Sequence, residues 1–364
     1  MGSCAAWQLT SRGLSVAVLE AYEVGHGHGS SHGRSRSFRR AYADPLYAAM
    51  TGLALEQWQR LAEESGTHLM TGTGGLDFGP DYDTELLSSL MTAHGVSNEL
   101  ISADDAERRW SGMRFDTDVI FHACAGVFDP ESAIIAATTL AAAAGAQIMP
   151  MTRIVDANMV PTGGVALHSA AGDQIIADVA VLTTGAWLPD FGSAIAEFAG
   201  NTKPLLPPLT IRQQQVFHFP LRDGYSALPT FVHKDGKQMY GMPSGADVPM
   251  PAMKVGCFHD GVTTSVENRD HQITDAQRQL VVDHVREWIP ALDPNPVAEA
   301  SGLITMTPDG DFILDRNGPL VVAATCSGHG AKFAPLIGSM IADLVTGEAQ
   351  PTPRFQMDRG ASEH

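Results

Sequence analysis

"MGSCAAWQLTSRGLSVAVLE", residues 1–20, begins partway through a recognisable pattern. Ser15 to Glu20 form a short apolar run ending in an acid, as a buried strand does. The stretch before it, opened by Gly2, reads as a helix. A dinucleotide-binding unit has a strand, then G-x-G-x-x-G opening a helix, then an acid about 20 residues on at the end of the second strand. The glycines let the backbone approach a pyrophosphate, the helix N-terminus stabilises its charge, and the acid accepts hydrogen bonds from ribose hydroxyls. Gly2 stands at the third-glycine position and Glu20 at the acid position. The first strand and the two earlier glycines have no counterpart. A plain amphipathic helix and strand without a ligand would look the same, so these residues alone leave both readings open.

The next segment, "HGHGSSHGRSRSFRRAY" (residues 26–42), sets His26, His28 and His32 among glycines and follows them with Arg34, Arg36, Arg39 and Arg40. A metal site is one reading, but no carboxylate or cysteine is spaced to complete it, and no metal is expected. A solvated basic loop is a second. The third is an anion-handling loop beside a cofactor, with an arginine offered to a carboxylate.

With 364 residues, 44% hydrophobic and 18% charged, the chain can bury one large or two medium cores. Its 23 basic and 41 acidic residues leave a net charge of −18, which argues against nucleic acid or an anionic membrane as partner. Cys4, Cys124, Cys257 and Cys326 show no CxxC spacing, so a disulfide framework or zinc site is not expected and a reducing, cytoplasmic compartment is. No apolar run is long enough to span a membrane.

Along the chain, Pro45–Ser65 has helical apolar spacing and ends before Gly66; a second helix covers Glu131–Ala144 and stops at Gly145. Short strands follow at "AQIM" (146–149), "TRIVDA" (152–157) and Val179–Leu182, the last running into a turn at Gly185. From Ile211 the texture changes. "IRQQQVFHFP" (211–220), "PTFVHK" (229–234), "KQMYGMPS" (237–244) and "AMKVGCFH" (252–259) are short runs broken by turn residues, the pattern of an antiparallel sheet. "TDAQ" (274–277) is a capping box that starts a helix ending at Pro290. "PLVVAATCSGHGAKFAPLIGSMIADLVTG" (319–347) reads strand, glycine-rich loop, helix. This order predicts α/β plus α+β architecture: a Rossmann-type nucleotide-binding domain lacking its first strand, and an antiparallel-sheet domain, each discontinuous in sequence.

Five segments in order resemble the flavin-dependent amine oxidoreductases of the monomeric sarcosine oxidase and N-methyltryptophan oxidase type. They are "MGSCAAWQLTSRGLSVAVLE", "GSSHGRSRSFRRAY" (29–42), "TTGAW" (183–187), and the pair "TMTPDGDFILD" (305–315) and "TCSGHGAKF" (325–333). The resemblance covers essentially the whole chain. It implies FAD held by residues 1–70, 130–204 and 303–364, and a substrate domain from 71–129 and 205–302. It also implies that the chain starts at an internal Met of the family's M-G-S, an N-terminally truncated member.

By motif position, the resemblance puts Gly2 at the pyrophosphate and Glu20 at the ribose. Ser30, Ser31, His32, Arg36, Val155, Gly185, Trp187, Gly328, His329, Gly330 and Lys332 go to the cofactor, with amides of the 328–330 loop facing the flavin. Arg39 and Lys332 are implied to fix a substrate carboxylate, Arg39 through a planar, permanently charged fork. Tyr240 is implied to face the substrate, although an ordinary half-buried sheet tyrosine would fit the same pattern. Lys254 is implied to activate dioxygen over the flavin; a snorkelling edge lysine is the alternative, but an ammonium in an apolar strand is costly without a purpose.

Two departures from the family stand out. Gly302 occupies the position of its cysteine tether, so FAD is expected to be non-covalent. Phe258 occupies the position of its active-site histidine, with His259 one residue later; a one-residue offset turns a strand side chain to the other face. Either a bulge restores His259, or the pocket is more apolar and suits a bulkier amine than sarcosine. The expected activity is oxidation of an N-methyl or cyclic amino acid to an imine, with dioxygen reduced to hydrogen peroxide, by a monomer with no nucleic-acid or membrane partner. The alternatives are a related dehydrogenase or D-amino-acid-type enzyme, and an inactive remnant.

Overall fold

The computed structural model describes residues 1–161, 163–200, 206–258 and 261–359. The first helix, Gly2–Ser11, buries Cys4 through Thr10. It lies against the C-terminal helix Ala334–Thr346, where glycine permits close contact: a Cβ on Gly338 would sit 2.6 Å from the Cys4 carbonyl. Pro45–Ser65 begins at Asp44, whose carboxylate accepts the Leu46 and Tyr47 amides, and ends at Gly66 with φ 64°. Trp7, Trp58, Phe312, Phe333 and Ile337 fill the core among these helices.

The predicted strand Ser15–Glu20 is trimmed to Ala17–Leu19 and pairs in parallel with Gln147–Met149. A second group comprises Ala180–Leu182, parallel to Leu320–Ala324, which is antiparallel to Ile313–Asn317. The nucleotide-type layer is thus in two pieces. Among the described residues, Ala17–Leu19 and Ala180–Leu182 each pair with a single strand. Gly2 meets the second piece at its carboxyl end: a Cβ there would lie 2.8 Å from Thr183 Oγ1. Glu20 follows the carboxyl end of the first piece. Open α/β sheets bind ligands at those strand ends.

A nine-stranded sheet forms the other layer. Its order is Val262–Thr263, Thr210–Pro220, Ala252–Phe258, Lys237–Pro243, Thr230–Asp235, Gly75–Phe78, Val119–His122 and Glu99–Ile101, with Ala298–Met306 also paired to Thr210–Pro220. The expected antiparallel pattern holds with one difference: Thr230–Asp235 runs parallel to Gly75–Phe78. That junction joins two distant stretches of chain, so no hairpin dictates its direction. One face of the sheet carries Leu76, Phe78, Phe217, Phe219, Phe231, Met253 and Val255, packed against the helix Asp275–Trp288. Thr274 caps that helix, accepting the Gln277 amide at 3.2 Å; the Gln277 side chain meets the Thr274 hydroxyl at 2.9 Å.

Candidate active site

Alternation along the strands decides what the opposite face presents. Val255 and Cys257 belong to the core, so Lys254, Gly256 and Phe258 point the other way. Directly across the sheet, Tyr240 pairs with Gly256 and His218 with Lys254. Tyr240 also pairs with Val232, and Val232 with Asp77. His218 pairs with Ala298 and Gln214 with Gly302. One sheet face therefore carries Asp77, Tyr240, His218, Lys254, Phe258 and Gly302; Lys254 and Gly302 meet the loop 29–36, and Asp77 meets Arg39. Gly256 leaves room for the tyrosine, since a Cβ there would lie 2.7 Å from Tyr240 Oη.

Lys254 is 3% exposed and forms an ion pair with Asp247. Its Nζ also donates to the Ser35 carbonyl at 3.1 Å. Burial, then the nearby Arg36, draw its ammonium down to about 8 against the pull of Asp247. Arg36 donates to the carbonyls of Ser35 at 3.0 Å and Ser30 at 3.3 Å, and its burial weakens its hold on the proton. His218 shares a 2.9 Å hydrogen bond with Ser244 and is lowered to about 4 by burial and then Lys254. His32 is also lowered to about 4, by burial and then Arg36. It stands beside Gly302, where a Cβ would lie 2.8 Å from His32 Nε2.

The second charged group lies toward the nucleotide layer. Lys332 is 8% exposed and donates to Tyr42 Oη at 2.9 Å and to the His329 carbonyl at 3.0 Å. Burial, then Arg39, pull its ammonium down to about 7. Arg39, expected to face a substrate carboxylate, is ion-paired with the fully buried Asp77 and donates to Tyr82 Oη at 3.4 Å. Asp77 also accepts from Tyr82 at 2.9 Å and contacts His122 Nε2 at 3.3 Å. Burial favours the neutral acid, but Arg39 and then His122 outweigh it and hold the Asp77 carboxyl below its ordinary range.

At the nucleotide end, Glu20 Oε1 accepts the Tyr22 amide at 3.1 Å and lies 3.3 Å from His26 Nε2. Tyr22 stacks on His28 with centroids 4.1 Å apart and leans on Trp187 at 6.0 Å. Two members of the histidine-rich segment therefore pack around Glu20. Ser30 donates to the Leu303 carbonyl, and Ser31 is exposed. Gly185 has φ 57°. Val155 is 51% exposed on the strand Ile154–Met159; just before that strand, the Thr152 amide donates to the Glu20 carbonyl at 2.7 Å. In the 325–333 loop, Gly328 has φ 74°, and His329 Nδ1 meets Tyr42 Oη at 3.2 Å. The amides of His329 and Gly330 donate to Cys326 O at 3.0 and 2.9 Å within the loop. His259 lies outside the described residues.

Several functional candidates escaped the motif reading. Asp77 was detectable as an acid in the apolar run "GGLDFG", and His122 as a polar residue in a buried strand. Asp247 and Ser244 sit in the connection just before the Lys254 strand, where polar residues attract no notice; Asp247 pairs with Lys254 and Ser244 with His218.

The residues present fit a large ligand rich in hydrogen-bonding groups. Buried with no hydrogen-bond partner are His32 Nε2 and the hydroxyls of Thr184, Thr305 and Thr325. They belong to the loop 29–36, the turn after Ala180–Leu182, the strand Ala298–Met306 and the glycine-rich loop. Buried polar atoms normally find partners, and these four come from the segments that border the interface of the two layers.

A split nucleotide-type layer facing a sheet that carries the buried Lys254 is the architecture of a dinucleotide-dependent oxidoreductase. Residues 1–344 match the family model described as DAO, FAD dependent oxidoreductase, and the chain belongs to that family. It is 31% identical to the monomeric sarcosine oxidase of Streptomyces avermitilis over 383 residues, covering 100% of this chain and 96% of that protein. To the monomeric sarcosine oxidase of a Bacillus species it is 28% identical, covering 96% and 91% of the two chains. Its fold matches NikD, an unusual amino acid oxidase essential for nikkomycin biosynthesis, with a TM-score of 0.84 at 22% identity over 100% of this chain and 96% of that one. L-proline dehydrogenase from P. horikoshii matches with a TM-score of 0.83 at 20% identity, over 98% and 94% of the chains. The protein is thus an FAD-dependent oxidoreductase.

Proposed function

We propose that the chain oxidises the C–N bond of a secondary amine bearing a carboxylate, an N-methyl or cyclic amino acid, to the imine, with dioxygen reduced to hydrogen peroxide. The observation that carries this reading is the pair of buried lysines, Lys254 on the sheet face and Lys332 in the glycine-rich loop, each desolvated and poised near neutral pH. The acceptors of Lys332 are the neutral Tyr42 Oη and the His329 carbonyl, so its ammonium is costly without a ligand anion, whereas Lys254 already meets Asp247 and offers its charge to an anion developing beside it. Their positions coincide with the motif residues that the resemblance assigns to dioxygen and to the substrate carboxylate.

When bound, FAD supplies the acceptor for the hydride equivalent. His32, Arg36, Thr184, Thr305 and Thr325 would hold it from the loop side, with Gly2 and Glu20 at its nucleotide end. Gly302 offers no thiol, which supports non-covalent binding. Lys332 and Arg39 orient the carboxylate, Arg39 exchanging part of its bond to Asp77 for the ligand. Tyr240 and Phe258 wall the amine; with a phenylalanine in place of a polar group, the pocket excludes water and favours a bulkier, more apolar amine. Lys254 presents positive charge where dioxygen gains electrons.

The main cores of the two layers are distinct, which supports a cofactor unit of 1–70, 130–204 and 303–364 and a substrate unit of 71–129 and 205–302, while Phe128 packs in the first core and smaller clusters join the units through Ala41 with Leu87 and Ala186 with Ile211. The strand Ala298–Met306 crosses that boundary. Four free cysteines favour the cytoplasm, and among the described residues no helix is long and apolar enough to cross a membrane. A monomer accords with the monomeric relatives.

The test is a peroxide-coupled screen of N-methyl and cyclic amino acids with FAD-loaded protein, alongside Lys254→Met. Peroxide formation that falls by about 10²–10³-fold in the variant is expected. Amine oxidation that proceeds only with an artificial acceptor would favour a dehydrogenase instead.

A further inference from the structure

Lys254 is held by more than its own strand. Asp247 closes the short turn Gly245–Asp247 in the connection from Lys237–Pro243 to Ala252–Phe258. Its Oδ2 pairs with Lys254 and accepts from Ser35 Oγ at 3.3 Å, while its Oδ1 accepts the Arg34 amide at 2.7 Å. A single carboxylate thus ties the lysine to the backbone of the loop that carries His32 and Arg36. Gly33 makes the approach possible: its φ is 83°, and a Cβ there would lie 3.3 Å from Asp247 Oδ1 and 3.6 Å from Lys254 Nζ.

The surroundings explain why such a tie is needed. The Ser35 carbonyl accepts from both Lys254 and Arg36, so two cations share one acceptor. The charged and titratable groups around Lys254 are Arg36 and His32 on the loop side, His218 on the neighbouring strand, Asp247, and Asp129 at the start of the helix Pro130–Ala143. His218 is neutral at pH 7, and Asp129 is bound to Arg34 at 2.7 Å. Asp247 is the anion in direct contact with the ammonium.

We propose that Asp247 is the positioning residue for Lys254, anchoring Nζ against the 33–35 backbone and keeping the ammonium charged where dioxygen is reduced. This rests on the reading of Lys254 given above. The flavin of FAD-loaded protein is reduced with dithionite under argon, mixed with oxygenated buffer across pH 6–10, and its reoxidation followed by absorbance, so no amine substrate is needed. In the wild type, oxygen reactivity falls as pH rises through the lysine's titration. In Asp247→Asn the same fall is expected about one pH unit or more lower, since an adjacent opposite charge is worth about 1–3 units. Asp247→Glu keeps the charge but moves it by one methylene; it is expected to retain the wild-type midpoint with a several-fold slower rate.

Superimposable wild-type and Asp247→Asn profiles would overturn the proposal while leaving Lys254 in its role, provided Lys254→Met has lost oxygen reactivity. Undiminished reactivity in Lys254→Met would overturn both. Should Asp247→Asn fail to fold, Asp247→Glu decides, because a rate and midpoint both equal to wild type would contradict positioning.

Discussion

Burial and the neighbouring Arg39 draw the Lys332 ammonium down to about 7. A carboxylate ligand meets a cation there only while that proton stays on, so binding takes up a proton above this value. Affinity for a simple short carboxylic acid is expected to be flat below about pH 7 and to weaken by up to about tenfold per pH unit above it. Flavin absorbance titrations between pH 6 and 9 would show this, and an affinity independent of pH would remove Lys332 from the carboxylate subsite. Arg39 cannot provide the same pH signature, because the adjacent Asp77 outweighs its burial and strengthens its hold on its proton. At this scale the two lysines, Arg36, Arg39 and Tyr240 are legible as candidates from motif position. Their partners are not. Asp77 lies far along the chain from Arg39, and Asp247 sits in the turn just before the Lys254 strand, where a counter-ion leaves no local pattern of its own.

Helix ends and strand alternation were the most readable features among the elements, because both depend on near neighbours. Asp44 and Gly66 bracket Pro45–Ser65, and "KQMYGMPS" and "AMKVGCFH" became adjacent strands of the nine-stranded sheet. The parallel pairing of Thr230–Asp235 with Gly75–Phe78 was not readable, since it depends on how distant segments meet. The same holds for the crossing of the first and last helices, although Gly338 marks it in retrospect. A side chain at Gly338 would strike the Cys4 backbone, which cannot move aside as a flexible side chain would. Gly338→Val is therefore expected to cost about 1–3 kcal/mol in urea unfolding. An unchanged midpoint would mean that the helices do not cross so closely. That crossing sets the N-terminus of the first helix at Thr183, so the variant is also expected to bind FAD more weakly.

The whole molecule is two layers with different tasks. One offers parallel-strand ends, a helix N-terminus and a glycine-rich loop; the other offers a sheet face whose alternation puts aromatic core on one side and Lys254, Tyr240 and Asp77 on the other. Lys332 comes from the first layer and Lys254 from the second, and the proposed function puts the reacting centre between them. The most direct measurement is anaerobic. FAD-loaded protein is mixed with an N-methyl or cyclic amino acid, and in parallel with the same amine lacking its carboxylate, while the visible flavin band is followed. Rapid bleaching by the amino acid, and far slower or no bleaching by the decarboxylated amine, is the predicted result. Equal bleaching by both, or a flavin left oxidised by the whole set of secondary amino acids, would contradict the account.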